Sequence, residues 1–182
     1  MAGWVAFFSQ SGKEIADLAE KLGFWPDTII TNKGVEHFHS LDRRIFNQIK
    51  RVVILENRPT VEEYETVLQY CNNCLITLHG WLRIIPPEIC EKYEIYNGHP
   101  GLITKYPKLK GKDPQVKAAV MRLESSGSVI HRVTAGVDEG PIVSSMEISI
   151  KGLKLDDIFD RLRTTSILTW ESFLREKLEV NA

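Results

Sequence analysis

An amide and an imidazole stand two residues apart in Asn97-Gly98-His99-Pro100-Gly101, and a carboxylate sits in the glycine-flanked turn Gly136-Val137-Asp138-Glu139-Gly140. At an extended strand end, a two-residue separation turns both side chains to the same side. Acyl transfer to an amine needs such a set: a donor for the oxyanion, a group to protonate the departing nitrogen, and a route for the proton leaving the attacking amine. Asn donates without titrating, and His donates or shuttles near neutral pH. Asp138 is the best candidate for the third member, and its charge is expected to raise the His99 pKa. Local chemistry leaves a plainer reading open, because Asn-Gly and Pro-Gly are turn formers and Asp-Glu-Gly is an ordinary hairpin tip.

The elements that must position these residues follow from the apolar pattern. Trp4 to Ser9 is apolar and β-prone, and after Gln10-Ser11-Gly12 come Ile15, Leu18, Ala19 and Leu22 at helical spacing: strand, tight turn, helix. Further strands are predicted at Asp27 to Thr31, Arg51 to Leu55, Leu75 to Leu78 and Glu94 to Asn97. Pro59-Thr60 opens a helix carrying Val61, Tyr64, Val67 and Leu68, and Pro86-Pro87 opens a short one. Unbroken apolar strands alternating with amphipathic helices indicate an α/β doubly wound, mostly parallel sheet covered on both faces. Ligands of such sheets collect beyond the carboxyl ends of the strands, where Asn97 and His99 fall. Ser128 to Thr134 and Ile142 to Ile150 read as an antiparallel C-terminal hairpin around the Asp138 turn. Leu155 to Leu178, with Ile158, Phe159, Leu162, Ile167 and Trp170 at helical spacing, is expected to pack back on the sheet. No repeat or linker interrupts the pattern, so residues 1–182 are read as a single domain.

At 182 residues, 43% hydrophobic and 26% charged, the chain can bury a proper core. A formal charge of −1 gives no global field for nucleic acid or an anionic membrane, and neither is expected as a partner. Met1 to Gln10 lacks a basic leader, and no later run approaches the ~18 apolar residues of a spanning helix. A cytoplasmic protein acting on small molecules, as monomer or homodimer, is the expectation.

Three cysteines do not suggest a disulfide framework, and Cys71-Asn72-Asn73-Cys74 has redox or half-zinc spacing without a second ligand pair, so structural thiols are the better reading. His37-Phe38-His39 lacks companion ligands and reads as surface loop, while His131 reads as a structural residue near the site and His79 as the end of the fourth strand. No metal is expected.

Asn97 to Ile103 resembles the signature Asn-x-His-Pro-Ser/Gly-Leu-Leu of the folate-dependent formyltransferases, and Asp138 to Ile142 resembles their Asp-x-Gly-Pro-Ile/Val segment. Leu78 to Pro87 is similar to the family's Gly-aromatic-Met-Arg-Ile-Leu-Ser-Pro stretch, and Ser128 to Thr134 to the strand before its catalytic Asp. In length and layout the likeness is to the branch acting on glycinamide ribonucleotide. The resemblance implies a Rossmann-like formyltransferase fold and 10-formyltetrahydrofolate as donor and co-substrate. It implies Asn97 as oxyanion donor, His99 in proton transfer to the leaving nitrogen, and Asp138 positioning His99 and helping deprotonate the amine. It further implies Leu82, Arg83, Ile84, Ile85, Val137 and Gly140 around the pterin, and Ser11, Gly12, Lys13 and Arg163 toward the amine acceptor. The first turn departs from the family's Ser-Gly-x-Gly-Ser-Asn at Gln10 and Glu14, and Glu14 would repel a phosphate unless it points away. The basic run Lys105, Lys108, Lys110 and Lys112 is more often a solvated loop than a phosphate or glutamyl site. The acceptor stays open among a ribonucleotide, an amino sugar nucleotide and another nucleotide-derived amine; methionyl-tRNA is not expected, for want of a basic surface and a C-terminal domain. A formyl-folate hydrolase and a non-catalytic folate- or nucleotide-binding module are the competing readings.

Overall fold

The computed structural model describes residues 3–48, 52–71 and 73–178. Its first strand, β1 (Gly3–Phe8), is apolar and buried on both faces, as a central parallel strand must be. A tight turn leads to α1 (Lys13–Leu22), which buries Ile15, Ala16, Leu18, Ala19 and Leu22 and ends where Gly23, left-handed at φ 80°, donates its N–H to the Ala19 carbonyl. Then come β2 (Thr28–Thr31), α2 (Arg43–Gln48), β3 (Val52–Ile54), α3 (Val61–Leu68), β4 (Cys74–Leu78), α4 (Pro87–Lys92) and β5 (Ile95–His99). The order closes with α5 (Pro114–Val120), β6 (Ser125–Arg132), β7 (Ile142–Ser149) and α6 (Leu155–Lys177). Thr60 starts α3 in a reciprocal cap with Glu63, each side chain accepting from the other's backbone N–H.

The strands form one seven-stranded sheet in the order β3-β2-β1-β4-β5-β6-β7. β3 to β5 run parallel, and β6 and β7 are antiparallel additions. The order reverses between β1 and β4, so the loops leaving these two strands diverge and open a crevice at their carboxyl ends.

Strand alternation divides the core. Trp4, Ala6, Phe8 and Ile29 pack toward α1 and α6, against Trp170 and Phe173. Val5, Phe7, Ile30 and Ile76 pack toward α3 and α4, against Tyr64, Leu68 and Ile89. Each large apolar side chain fully buried in these layers, Phe7 for example, contributes about 2–3 kcal/mol.

The architecture is the one read from the sequence, with local differences. β6 begins at Ser125 and ends at Arg132 instead of spanning 128–134. β3 begins at Val52; Arg51, the expected start, lies outside the described residues. α2 and α5 have no counterpart in the sequence reading; α5 buries only Pro114 and Ala118, a stripe too short to show as periodicity. Phe159, counted in the apolar stripe of the last helix, is 41% exposed.

Candidate active site

The antiparallel β5–β6 pair sets Asn97 opposite His131 and His99 opposite Val129. Alternation places Asn97 and His99 on one face of β5, Tyr96 and Gly98 on the other. Tyr96 and Gly98 meet α6. The Tyr96 and Phe173 rings are 4.8 Å apart edge to face, and a Cβ at position 98 would lie 2.5 Å from Trp170 Nε1. The residue between the two reactive side chains is glycine because the indole occupies the space of any larger one.

The 136–140 turn folds back over the Asn97 and His99 face. Asp138 holds φ 52°, a left-handed conformation that Asp tolerates better than most residues. A Cβ at Gly140 would sit 1.7 Å from the Arg132 carbonyl oxygen, so this corner admits only glycine. These constraints aim the Asp138 carboxylate between two imidazoles: Oδ2 is 3.3 Å from His99 Nδ1, and Oδ1 is 3.3 Å from His131 Nε2. The Gly111 N–H donates to Oδ2 at 2.8 Å. Asn97 Nδ2 lies 3.3 Å from His131 Nε2. On their far sides, His99 Nε2 is 2.8 Å from the Leu109 carbonyl and His131 Nδ1 is 3.0 Å from the Arg132 carbonyl. Carbonyls only accept, so those two nitrogens donate to them.

Burial by itself would raise the Asp138 carboxyl. The hydrogen bond from His131, the charge of His99 and the Gly111 N–H outweigh it and hold the group at about 2. For His99 burial is the dominant influence and lowers the imidazole below its ordinary value, against the opposing pull of Asp138. Asp138 does raise it, as expected from the carboxylate, but the loss of water around His99, 5% exposed, outweighs that pull and the net shift is downward. The result is an ionised carboxylate beside the His99 imidazole, which is held below its ordinary value.

The structure thus brings Asn97, His99 and Asp138 together, and adds His131 as the residue joining Asn97 to Asp138. The available signal was register: position 131 falls opposite 97 once the two strands pair antiparallel. Trp81 and Ile85 pack among the α3 and α4 side chains and so fix the 82–85 loop on the same face as the cluster. The Leu82 N–H donates to Ser9 Oγ at 3.0 Å. Leu82, Ile84 and Val137 are 59%, 72% and 56% exposed, an apolar lip on the two loops that border the polar cluster. Ile85 is buried, and the Arg83 guanidinium turns to Asn57 and the Leu82 carbonyl.

On the opposite face, Ser11, Gly12 and Lys13 form the turn into α1, where Ser11 Oγ accepts the Lys13 N–H at 3.3 Å. Lys13 Nζ lies 3.7 Å from Asp17, and Arg163 pairs with the same carboxylate at 2.5 Å. Arg163 therefore meets the turn through Asp17, a carboxylate that Lys13, Arg44 and Arg163 share. Glu14 points to His79 Nδ1 at 2.9 Å and Ser166 Oγ at 3.2 Å. His79 does not face the 82–85 loop; it lies beneath Trp170, ring centroids 4.6 Å apart, on the α1 and α6 side. In the basic run Lys105 pairs with Glu147 at 2.6 Å, and a shallow concavity of about 630 Å³ beside that pair contains no residue of the cluster. The 37–39 segment is an exposed 3-10 turn. Among the described residues no three His, Cys, Asp or Glu side chains group to hold a metal ion, and no helix is long and apolar enough to cross a membrane.

A family model described as formyl transferase matches residues 30–166, well over half of the chain. The chain belongs to the formyl transferase family. This formyl transferase chain is 29% identical over 117 residues to the phosphoribosylglycinamide formyltransferase of Escherichia coli (strain K12), covering 59% of this chain and 54% of that protein. It spans about half the length of the first curated relatives it matches. Among solved structures, the phosphoribosylglycinamide formyltransferase from Bacillus halodurans superposes with a TM-score of 0.77 at 23% identity, covering 96% of this chain and 94% of that one. A formyltetrahydrofolate deformylase from Pseudomonas syringae pv. tomato reaches a TM-score of 0.77 at 16% identity, covering 98% and 62%. The structural likenesses are of fold.

Proposed function

We propose that the protein transfers the formyl group of 10-formyltetrahydrofolate to the amine of a small acceptor. The observation that carries this reading is the Asn97, His131, Asp138 and His99 cluster at the end of β5, flanked by the apolar lip of Leu82, Ile84 and Val137. The lip and the backbone groups of the 82–85 and 136–140 loops suit a flat, hydrogen-bonding pterin. The amine nitrogen attacks the formyl carbon, a C–N bond forms, and the carbonyl electron pair moves onto oxygen. Of the two Asn97 Nδ2 hydrogens at most one is taken by His131 Nε2 at 3.3 Å, so at least one is available to that oxyanion. The ammonium proton passes to the His99–Asp138–His131 cluster. The bond between the formyl carbon and the folate nitrogen then breaks, and that nitrogen takes up a proton.

The test follows tetrahydrofolate release with a pool of amines. Asn97→Ala is expected to slow it by about 10²–10³, with Asp138→Ala similarly impaired. Variants releasing folate as fast as the natural chain would sink the assignment. Equal release without amine would favour hydrolysis, the reaction named by the Pseudomonas syringae neighbour.

A further inference from the structure

We propose that Glu14 determines the chemical class of the acceptor: an amine without a phosphate, which presents an ammonium or hydroxyl group to this carboxylate. The inference rests on the transfer reading above and concerns the half of the crevice on the α1 and α6 side.

The crevice opens between the β1–α1 turn and the residues following β4, the point where strand order reverses. There the first turn of α1 presents the positive end of its dipole, a favourable seat for an anion, and its Lys13 N–H is taken by Ser11 Oγ. The chain places its own anion at this position. Glu14 Oε1 receives His79 Nδ1 at 2.9 Å, and Oε2 receives the Ser166 hydroxyl from α6 at 3.2 Å. Behind His79, Nε2 is 2.8 Å from Thr77 Oγ1, which accepts from Trp4 Nε1 at 2.8 Å. Thr77 has a single hydroxyl hydrogen, and its contact with His79 is shorter than the 3.4 Å to the Val5 carbonyl. A buried chain of polar contacts thus runs from Trp4 through Thr77 and His79 to Glu14.

Trp4, Thr77, His79 and Ser166 are buried, whereas the Glu14 side chain is 30% exposed. The network thus ends in a carboxylate held by two partners and partly open to solvent. The neighbouring cations are committed elsewhere: Lys13 and Arg163 to Asp17, and Arg44 to Asp17, Glu20 and Asp42. The same wall reaches β5, because the indole tilted over His79 also lies against Gly98, between Asn97 and His99. Trp170 Nε1, fully buried there, has no partner among the described residues. The Glu14 carboxylate takes a ligand's donor group and repels a phosphate, whereas Trp170 Nε1, an N–H, can only donate.

Two measurements test the inference. Inorganic phosphate is titrated into the natural chain and Glu14→Gln, with Glu14→Asn as the second variant should the first not fold. The natural chain is expected to show no binding at about 10 mM and the variant to bind at least about tenfold more tightly than that limit. Amines matched except for a phosphate, glycinamide ribonucleotide and its dephosphorylated form among them, are then compared as acceptors. The unphosphorylated partner is expected to have a kcat/KM at least about tenfold higher, a ratio that Glu14→Gln brings toward one. Phosphate binding by the natural chain, absence of binding by both variants, or preference for the phosphorylated amine would each overturn the inference. If no amine is formylated, the transfer reading fails while the phosphate titration still decides the role of Glu14.

Discussion

Replacing Asp138 with Asn keeps the shape of the side chain and removes the charge held between His99 and His131. The carboxyl stands at about 2, well below the ordinary carboxylate range, which corresponds to about 2 kcal/mol of stability at neutral pH. The folded value lies below the unfolded one, so this stabilisation is complete above roughly pH 4 and is lost as pH falls through about 2. Asn returns part of it, because its amide can donate to one of the two imidazoles while its oxygen keeps the Gly111 N–H. For a chain of this length, the full effect is a fall in Tm of roughly 4–8 °C. Thermal unfolding of both proteins at pH 7, 5, 3 and 2 measures it. The gap is expected to be widest at pH 5 to 7 and to close by pH 2. An equal gap at every pH, or none at pH 7, would refute the electrostatic reasoning and leave Asp138 a plain turn residue.

Gly98→Ala forces a methyl to 2.5 Å from Trp170 Nε1 and is expected to cost about 1–3 kcal/mol in chemical unfolding; unchanged stability would show that β5 and α6 are not so tightly apposed. His131→Ala leaves Asn97 and Asp138 each without one partner, and kcat is expected to fall by about 10²-fold with little change in the KM for folate, whereas a rise confined to KM would assign His131 to binding. Since burial lowers His99, the acid limb of the transfer rate is expected below the ordinary imidazole value of roughly 6.5, and a limb at or above pH 7 would contradict a neutral His99.

The strands and the Asn97–His99 and Asp138 motifs are legible in the sequence because each has a local cause. β1 and β4 are unbroken apolar runs, and Asn97 and His99 share a face through the period of a strand. What escapes the sequence depends on pairs far apart in the chain. His131 becomes a site residue only through its register with Asn97, and the downward shift of His99 only through packing that removes its water. The fate of Glu14 is the clearest case. Sequence identifies a carboxylate where an anion is favoured and leaves its direction open; the residues that settle it, His79 and Ser166, are 65 and 152 positions away.

The central claim is that a formyl group moves from folate to an amine through the cluster at the end of β5. A product balance with 10-formyltetrahydrofolate labelled in the formyl carbon measures this directly. The expected result is one labelled formyl-amine for each tetrahydrofolate released, with Asn97→Ala slowing both together. Label recovered as formate at the same rate with and without amine would contradict transfer.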